Sequence, residues 1–293
     1  MEADGVARSG RIRIAWSVEG PADGTPLLLI MGLGLQMVFW PPGLRRLLTD
    51  HGFRVARFDN RDVGGSTHLT ELGLPSPLVF LTRRWRGYTL ADMAGDAVSV
   101  LDDLGWQSAH VLGVSLGGMI AQTTAIRYPD RVRTLTSVSS TPSPRIGRPH
   151  PRATVALAGL PVRDREAAAR QMVRVFRVIG SPGYPHDEQW LREAARHSFD
   201  RAHDPDGVRR QLSAIVSAQD RRPGLRRLRM PTLVLHGAAD PLVRPSGGRA
   251  TASAVPGAKL VVYPGMGHDL PGALQPAIVD EVDAVARQWT PAD

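Results

Sequence analysis

Three residues of the kinds that together activate a hydroxyl stand at places where a fold could join them. The first is Ser115, in Gly113-Val114-Ser115-Leu116-Gly117-Gly118. A Gly-x-Ser-x-Gly pattern alone says little in a chain with 30 glycines, where an ordinary turn is the plain alternative. Here it follows the strand-like Ala109-His110-Val111-Leu112 and precedes the apolar, helix-like Met119 to Ala125. A serine at such a strand-to-helix turn is lifted above a sheet on a strained backbone, with flanking glycines letting strand and helix approach. The helix N-terminus behind it favours developing negative charge.

A serine hydroxyl needs a base to take its proton. Of nine histidines, His268 in Pro264-Gly265-Met266-Gly267-His268-Asp269 is best placed, on a Gly-rich loop just beyond the last strand. In open α/β folds catalytic groups collect at that edge of the sheet. His236 also ends a strand, but Gly237 after it suggests a tight turn under the site. The base needs a carboxylate to orient it and to stabilise the imidazolium. Asp240 follows the strand Thr232 to Leu235, although an aspartate before a proline is also an ordinary turn residue. The other natural place for the acid, after Val132 to Val138, reads Ser139-Ser140-Thr141-Pro142 and holds no carboxylate. Asp269, adjacent to the base, is poorly placed to orient it. Ser115, Asp240 and His268 are therefore the expected catalytic residues. Backbone N–H groups of Leu116, after the nucleophile, and of Leu33, in Met31-Gly32-Leu33-Gly34, are the expected oxyanion donors.

These residues need a sheet to hold them. Strand signals at Arg11–Val18, Pro26–Met31, Phe53–Phe58, His110–Gly113 and Val132–Val138 alternate with helical ones at Pro42–Thr49, after Thr89, and at Leu116–Tyr128. Thr89 is a candidate N-cap, and Leu90, Met93, Ala97, Val100, Leu101 and Leu104 recur at helical spacing. Alternation of this kind implies a mostly parallel, twisted sheet with helices on both faces. From Thr141 the rhythm stops in a proline-rich exit. Residues 142–222 then show only helical patterns, one with Met172, Phe176 and Ile179 and one with Val208, Leu212, Ile215 and Val216 on single faces. The sheet resumes at Pro231–Leu235 and Lys259–Tyr263, before a last helix over Ala273–Gln288. The expected organisation is an α/β core from 1–141 and 223–293, interrupted by a helical cap at 142–222.

Met31-Gly32 in the oxyanion loop, Phe58-Asp59-Asn60-Arg61-Asp62-Val63-Gly64-Gly65-Ser66 and Pro264-Gly265-Met266-Gly267-His268 carry a family resemblance. Outside the insertion the chain resembles the α/β-hydrolase superfamily, and is most similar to its aclacinomycin methylesterase group. The order Ser115, Asp240, His268 is also that fold's order. The resemblance implies these three as a triad, with Arg61 and Asp62 bracing loops around the site. It implies a carboxylic-ester hydrolase. Lactone, thioester or peracid chemistry, a cofactor-free lyase, and a ligand-binding protein that keeps the fold remain alternatives.

Leu35, Met37, Phe39 and Trp40, after the oxyanion loop, and Phe176 and Trp190 from the insertion are candidates for an apolar substrate pocket, with core packing as the competing role. No dinucleotide or phosphate-loop fingerprint occurs, and the histidines lack paired ligand spacing, so neither cofactor nor metal is expected. The net charge of +8 is almost all arginine, Lys259 being the only lysine. It is dispersed apart from Arg221 to Arg229, which reads as a solvated linker, and no nucleic-acid partner is expected. Met1 to Gly20 holds no apolar core of signal-peptide length, and the longest apolar stretch, Leu27 to Trp40, is broken by Gly32, Gly34 and Gln36 and is shorter than the ~20 residues a membrane span needs. With no cysteine to form disulfides, the expectation is a cytoplasmic monomer or homodimer acting on a small-molecule ester, with no membrane partner.

Overall fold

The computed structural model describes residues 2–158 and 162–290. Eight strands form one sheet: β1 (Ala3–Ser9), β2 (Ile12–Glu19), β3 (Thr25–Ile30), β4 (Phe53–Phe58), β5 (Ala109–Val114), β6 (Val132–Val138), β7 (Thr232–Gly237) and β8 (Lys259–Tyr263). Their spatial order is β1-β2-β4-β3-β5-β6-β7-β8. β2 is antiparallel to both its neighbours, and every other pair is parallel. β1 carries no strand signal in the sequence, because Ala-Asp-Gly-Val-Ala-Arg-Ser holds few apolar residues; only Ala7 enters the core.

Helices α1 (Pro42–Asp50), α2 (Val79–Thr82), α3 (Leu90–Asp103) and α4 (Leu116–Arg127) precede β6. Between β6 and β7 come α5 (Pro151–Ala158), α6 (Arg165–Ile179), α7 (Glu188–Arg201), α8 (Pro205–Val216) and α9 (Arg222–Leu225), with no strand among the described residues. Helices α10 (Ser246–Ala254) and α11 (Gln275–Ala286) follow. α10 gives no periodic signal because Ser-Gly-Gly-Arg-Ala-Thr-Ala-Ser-Ala has no large apolar side chain. Thr89 does cap α3, in a reciprocal capping box with Asp92.

The central strands are apolar on both faces, as a covered parallel sheet requires. Along β3, Leu28 and Ile30 pack in one cluster with Met93 and Leu101 of α3 and Ile120 of α4. Leu27 and Leu29 pack on the other face with Leu44 and Leu48 of α1 and Ile278 and Val282 of α11. The arginine-rich run is not simply a solvated linker. Arg221 is buried, with its guanidinium donating to Gln122 Oε1 and the Thr141 carbonyl, and Leu225 and Leu228 join the core. No helix among the described residues is long and apolar enough to cross a membrane.

Candidate active site

The candidate residues all leave the sheet at the carboxyl ends of its parallel strands. Ser115 ends β5 and begins α4 with φ 58° and ψ −118°. That left-handed conformation costs a non-glycine residue roughly 1–3 kcal/mol, so the surroundings must impose it. They do so by close packing. A Cβ on Gly113 would lie 2.1 Å from the Gly117 carbonyl oxygen, and one on Gly117 would lie 1.9 Å from the Ile30 carbonyl oxygen. The Ser115 N–H donates to the Val138 carbonyl, and the Ser140 hydroxyl donates to the Ser115 carbonyl. The Ser139-Ser140 step, which holds no acid, thus serves to fix the turn.

Asp240 and His268 meet across the ends of β7 and β8. His268 Nδ1 lies 2.7 Å from Asp240 Oδ2, and both residues are buried. In the neutral ring, the nitrogen this close to a carboxylate carries the proton, and Nε2 then keeps its lone pair. The second Asp240 oxygen accepts from the Leu242 and Val243 amides at 2.8 and 2.9 Å, so the carboxylate cannot rotate away. The His268 N–H donates to the Ile179 carbonyl at the end of α6, which ties the loop to the inserted helices.

His236 has a supporting place. It is fully buried, its Nε2 donates to the Val243 carbonyl at 2.7 Å, and burial holds its imidazole below the usual histidine range. Asp269 has partners elsewhere: it accepts from the Ser181 hydroxyl, has His186 Nδ1 at 3.6 Å, and its carboxyl is pushed up by burial.

Ser115 and His268 line one cavity of about 1900 Å³. No hydrogen bond joins the Ser115 hydroxyl to another side chain among the described residues, and such bonds commonly tighten only when substrate is bound. Gly32 brings the loop after β3 against the turn, with its Cβ position 3.3 Å from Ser115 Cβ. Leu33, Leu35, Phe39, Phe176 and Trp190 line the cavity, Phe39 and Trp190 meeting edge to face at 6.5 Å. Met37 and Trp40 do not. The loop after β3 makes a short 3-10 turn at Met37–Phe39 that sends both into the core, where Trp40 is wholly enclosed beside α1. Both are apolar and follow the loop after β3, as pocket residues would, but at about three residues per turn positions 37 and 40 fall on one face, and that face is turned inward. Leu116 begins α4, with its side chain buried in the core.

The Asp59–Asp62 segment, part of the stretch that carries the family resemblance, is bonded to its surroundings at every residue. Asp59 accepts from the Met37 and Gly65 amides and from Arg201 of α7, and Asn60 Nδ2 donates to the Met31 carbonyl. Arg61 pairs with Asp96 through two bonds, and Asp62 with Arg210 of α8. Asp62, His68 and Asp204 cluster closely enough to suggest a metal. Arg210 already donates to Asp62 and Asp204, and His68 Nδ1 lies 2.8 Å from Asp204 Oδ2, so a resident guanidinium takes the charge a cation would need.

Comparison with known proteins agrees with this fold. Residues 25–271 match the family model described as alpha/beta hydrolase fold. The chain is 30% identical over 297 residues to the rhodomycin D methylesterase DnrP of Streptomyces peucetius, covering 92% of this chain and 93% of that one. It is 29% identical to DauP, the rhodomycin D methylesterase of Streptomyces sp. strain C5, over 94% of this chain and 95% of that one. Its structure is similar to that of a hydrolase from Pseudomonas aeruginosa PA01, with a TM-score of 0.70, 25% identity, and coverage of 99% of this chain and 98% of that one. The chain belongs to the α/β-hydrolase fold family and is related within it to the methylesterases.

Proposed function

We propose that this hydrolase cleaves a carboxylic ester through an acyl-enzyme on Ser115, with His268 as base and Asp240 as the group that orients it. The observation that carries the reading is the buried pair of His268 Nδ1 and Asp240 Oδ2 at 2.7 Å, beside the cavity that Ser115 lines. His268 Nε2 takes the Ser115 proton as Oγ attacks the ester carbonyl. Asp240 stabilises the imidazolium that results without itself taking the proton. The Leu33 and Leu116 amides hold the oxyanion, in a site where each such donor contributes about 3 kcal/mol. His268 then protonates the departing alcohol. A water activated by the same ring releases the acid.

The substrate proposed is the methyl ester of a bulky, largely apolar acid. Typical small-molecule sites measure about 300–1,000 Å³, and this cavity is about 1900 Å³. The relatives DnrP and DauP are named as methylesterases. Residues 142–222 act as the cap that walls the cavity, through Phe176 of α6, Trp190 of α7 and Leu212 of α8.

The test is turnover of p-nitrophenyl and methyl esters of graded acyl size. Ser115→Ala should lower kcat on the order of 10⁴-fold or more while the melting temperature holds, and a fluorophosphonate should label wild type only. Turnover that survives in Ser115→Ala would overturn the reading. Labelling of Ser115 with no turnover on any ester would favour a lyase or a ligand-binding role.

A further inference from the structure

The structure assigns to Gln211, on α8, the positioning of the oxyanion loop: it engages the Gly34 amide and so leaves the Leu33 amide as the free donor beside Ser115. This inference rests on the ester-hydrolysis reading above and concerns the same site.

Three consecutive N–H groups, of Leu33, Gly34 and Leu35, follow Gly32. An oxyanion needs one of them free and aimed, and the others satisfied. The Leu35 N–H donates to the Gly32 carbonyl at 3.3 Å, closing a turn. The Gly34 N–H donates to Gln211 Oε1 at 2.9 Å. Gln211 is wholly buried, and its own Nε2 donates to the Arg61 carbonyl at 2.8 Å. One amide side chain therefore clamps the loops after β3 and β4 together. It can do so only because α8 lies unusually close to them. A Cβ on Gly207, one turn before Gln211, would lie 2.3 Å from the Asp62 carbonyl oxygen, and one on Gly34 would lie 3.0 Å from Val208 Cγ2. Gly34 also has φ +68°, a conformation glycine adopts without strain. Arg210, next to Gln211, anchors the same stretch of helix through both oxygens of Asp62.

A glutamine suits this place. It offers one acceptor and one donor on a planar group, which matches one amide N–H and one carbonyl. Without it the Gly34 N–H would be left unpaired near the reacting centre. The loop could then turn to offer Gly34 in place of Leu33, at the wrong distance from the carbonyl carbon that Ser115 attacks. Transition-state stabilisation would suffer more than ground-state binding, because the oxyanion forms only as Ser115 adds.

The experiment uses the full chain and three variants: Gln211→Leu, which removes both bonds; Gln211→Glu, which keeps the acceptor for Gly34; and Ser115→Ala. With an ester that wild type turns over, Gln211→Leu should lower kcat about 10- to 100-fold, with KM within about threefold. Inhibition by a trifluoromethyl ketone, whose adduct carries an oxyanion, should weaken by the same factor as kcat/KM. Gln211→Glu should recover part of the loss, and it carries the test if Gln211→Leu fails to fold. A purely structural role would lower the yield of active enzyme but leave kcat per fluorophosphonate-titrated site, and the inhibitor's affinity, unchanged. Wild-type kcat per titrated site in either folded Gln211 variant, or a change in KM alone, overturns the inference. If Ser115→Ala is inactive in that series, the ester-hydrolysis reading survives. If Ser115→Ala stays active, both are overturned.

Discussion

Helices α4 and α8 flank the same site and bury opposite kinds of surface. In α4 every residue from Leu116 to Ala125 is buried, with no polar stripe turned to water. Gly117 and Gly118 let it press onto the end of β3 and onto Ser140. In α8 the buried residues are Gly207, Arg210, Gln211, Ser213 and Ala214. Its apolar stripe of Val208, Leu212, Ile215 and Val216 lines the cavity instead. Amphipathic spacing thus reveals that a helix has an apolar stripe, but not what the stripe faces. In α4 it faces the core, with only Met119 also reaching the cavity. In α8 it faces a space that an apolar ligand can fill, while the polar edge is held by charged and amide groups on two loops. An exposed apolar wall of this kind is normal in a binding cavity and unfavourable elsewhere.

This contrast can be broken from either side. The largest expected effect is on the polar edge of α8. Arg210→Met strands the Asp62 carboxylate, which is fully buried, and should destabilise the fold by about 3–5 kcal/mol in urea unfolding. Asp62→Asn added to it should restore most of that loss. If Arg210→Met alone is neutral, the polar edge is not what seats α8. Next is the closed face of α4. Gly117→Ala places a methyl against the Ile30 carbonyl, which cannot swing aside as a side chain would, and should cost about 1–3 kcal/mol. An unchanged melting temperature would mean that the strand and helix are less tightly opposed than described.

The cavity face of α8 should answer differently from both. Leu212→Ser should change stability by less than about 1 kcal/mol, as surface substitutions do, yet raise KM several-fold for long-acyl esters more than for short ones. Equal KM changes across acyl lengths would remove that wall from the substrate's path. The smallest effect is the pH dependence of the His68–Asp204 link at the start of α8. Burial lowers the His68 pKa, but its bonds to Asp204 and the Gly64 carbonyl outweigh that and hold it above the usual range. A histidine raised in the folded state contributes its stability below the unfolded value of about 6.5, and loses it as pH rises through the folded value. The melting-temperature deficit of His68→Gln should therefore be larger near pH 5.5 than at about pH 9; a deficit that grows with pH would reverse the assignment.

Much of this arrangement could be read without coordinates. The strands Phe53–Phe58, Val132–Val138 and Lys259–Tyr263 fall where their apolar runs place them, and α4 begins at Leu116. Ser115, Asp240 and His268 are legible because each follows a strand in glycine-rich sequence, and loops at that edge must converge. The sequence does not show which way Met37 and Trp40 point, because their direction depends on a three-residue turn and on α1 beneath it. Gln211 and Arg210 were passed over because polar residues on an amphipathic helix ordinarily face water. Their partners lie 177 positions away for Gly34 and 148 for Asp62, and nothing local marks either pair.

The sequence by itself determined the central elements and which residues stand at their ends, since periodicity, capping and glycine placement act over a few residues; β1 and α10, which lack an apolar pattern, it left unmarked. It also put a serine, a histidine and an aspartate at strand ends. Only the tertiary structure decided what each surface faces: that α8 turns its polar edge inward, and that Phe176 and Trp190 share a cavity with Ser115. Burial and polar pairing depend on neighbours brought from distant parts of the chain, and those neighbours exist only once the sheet has closed around them.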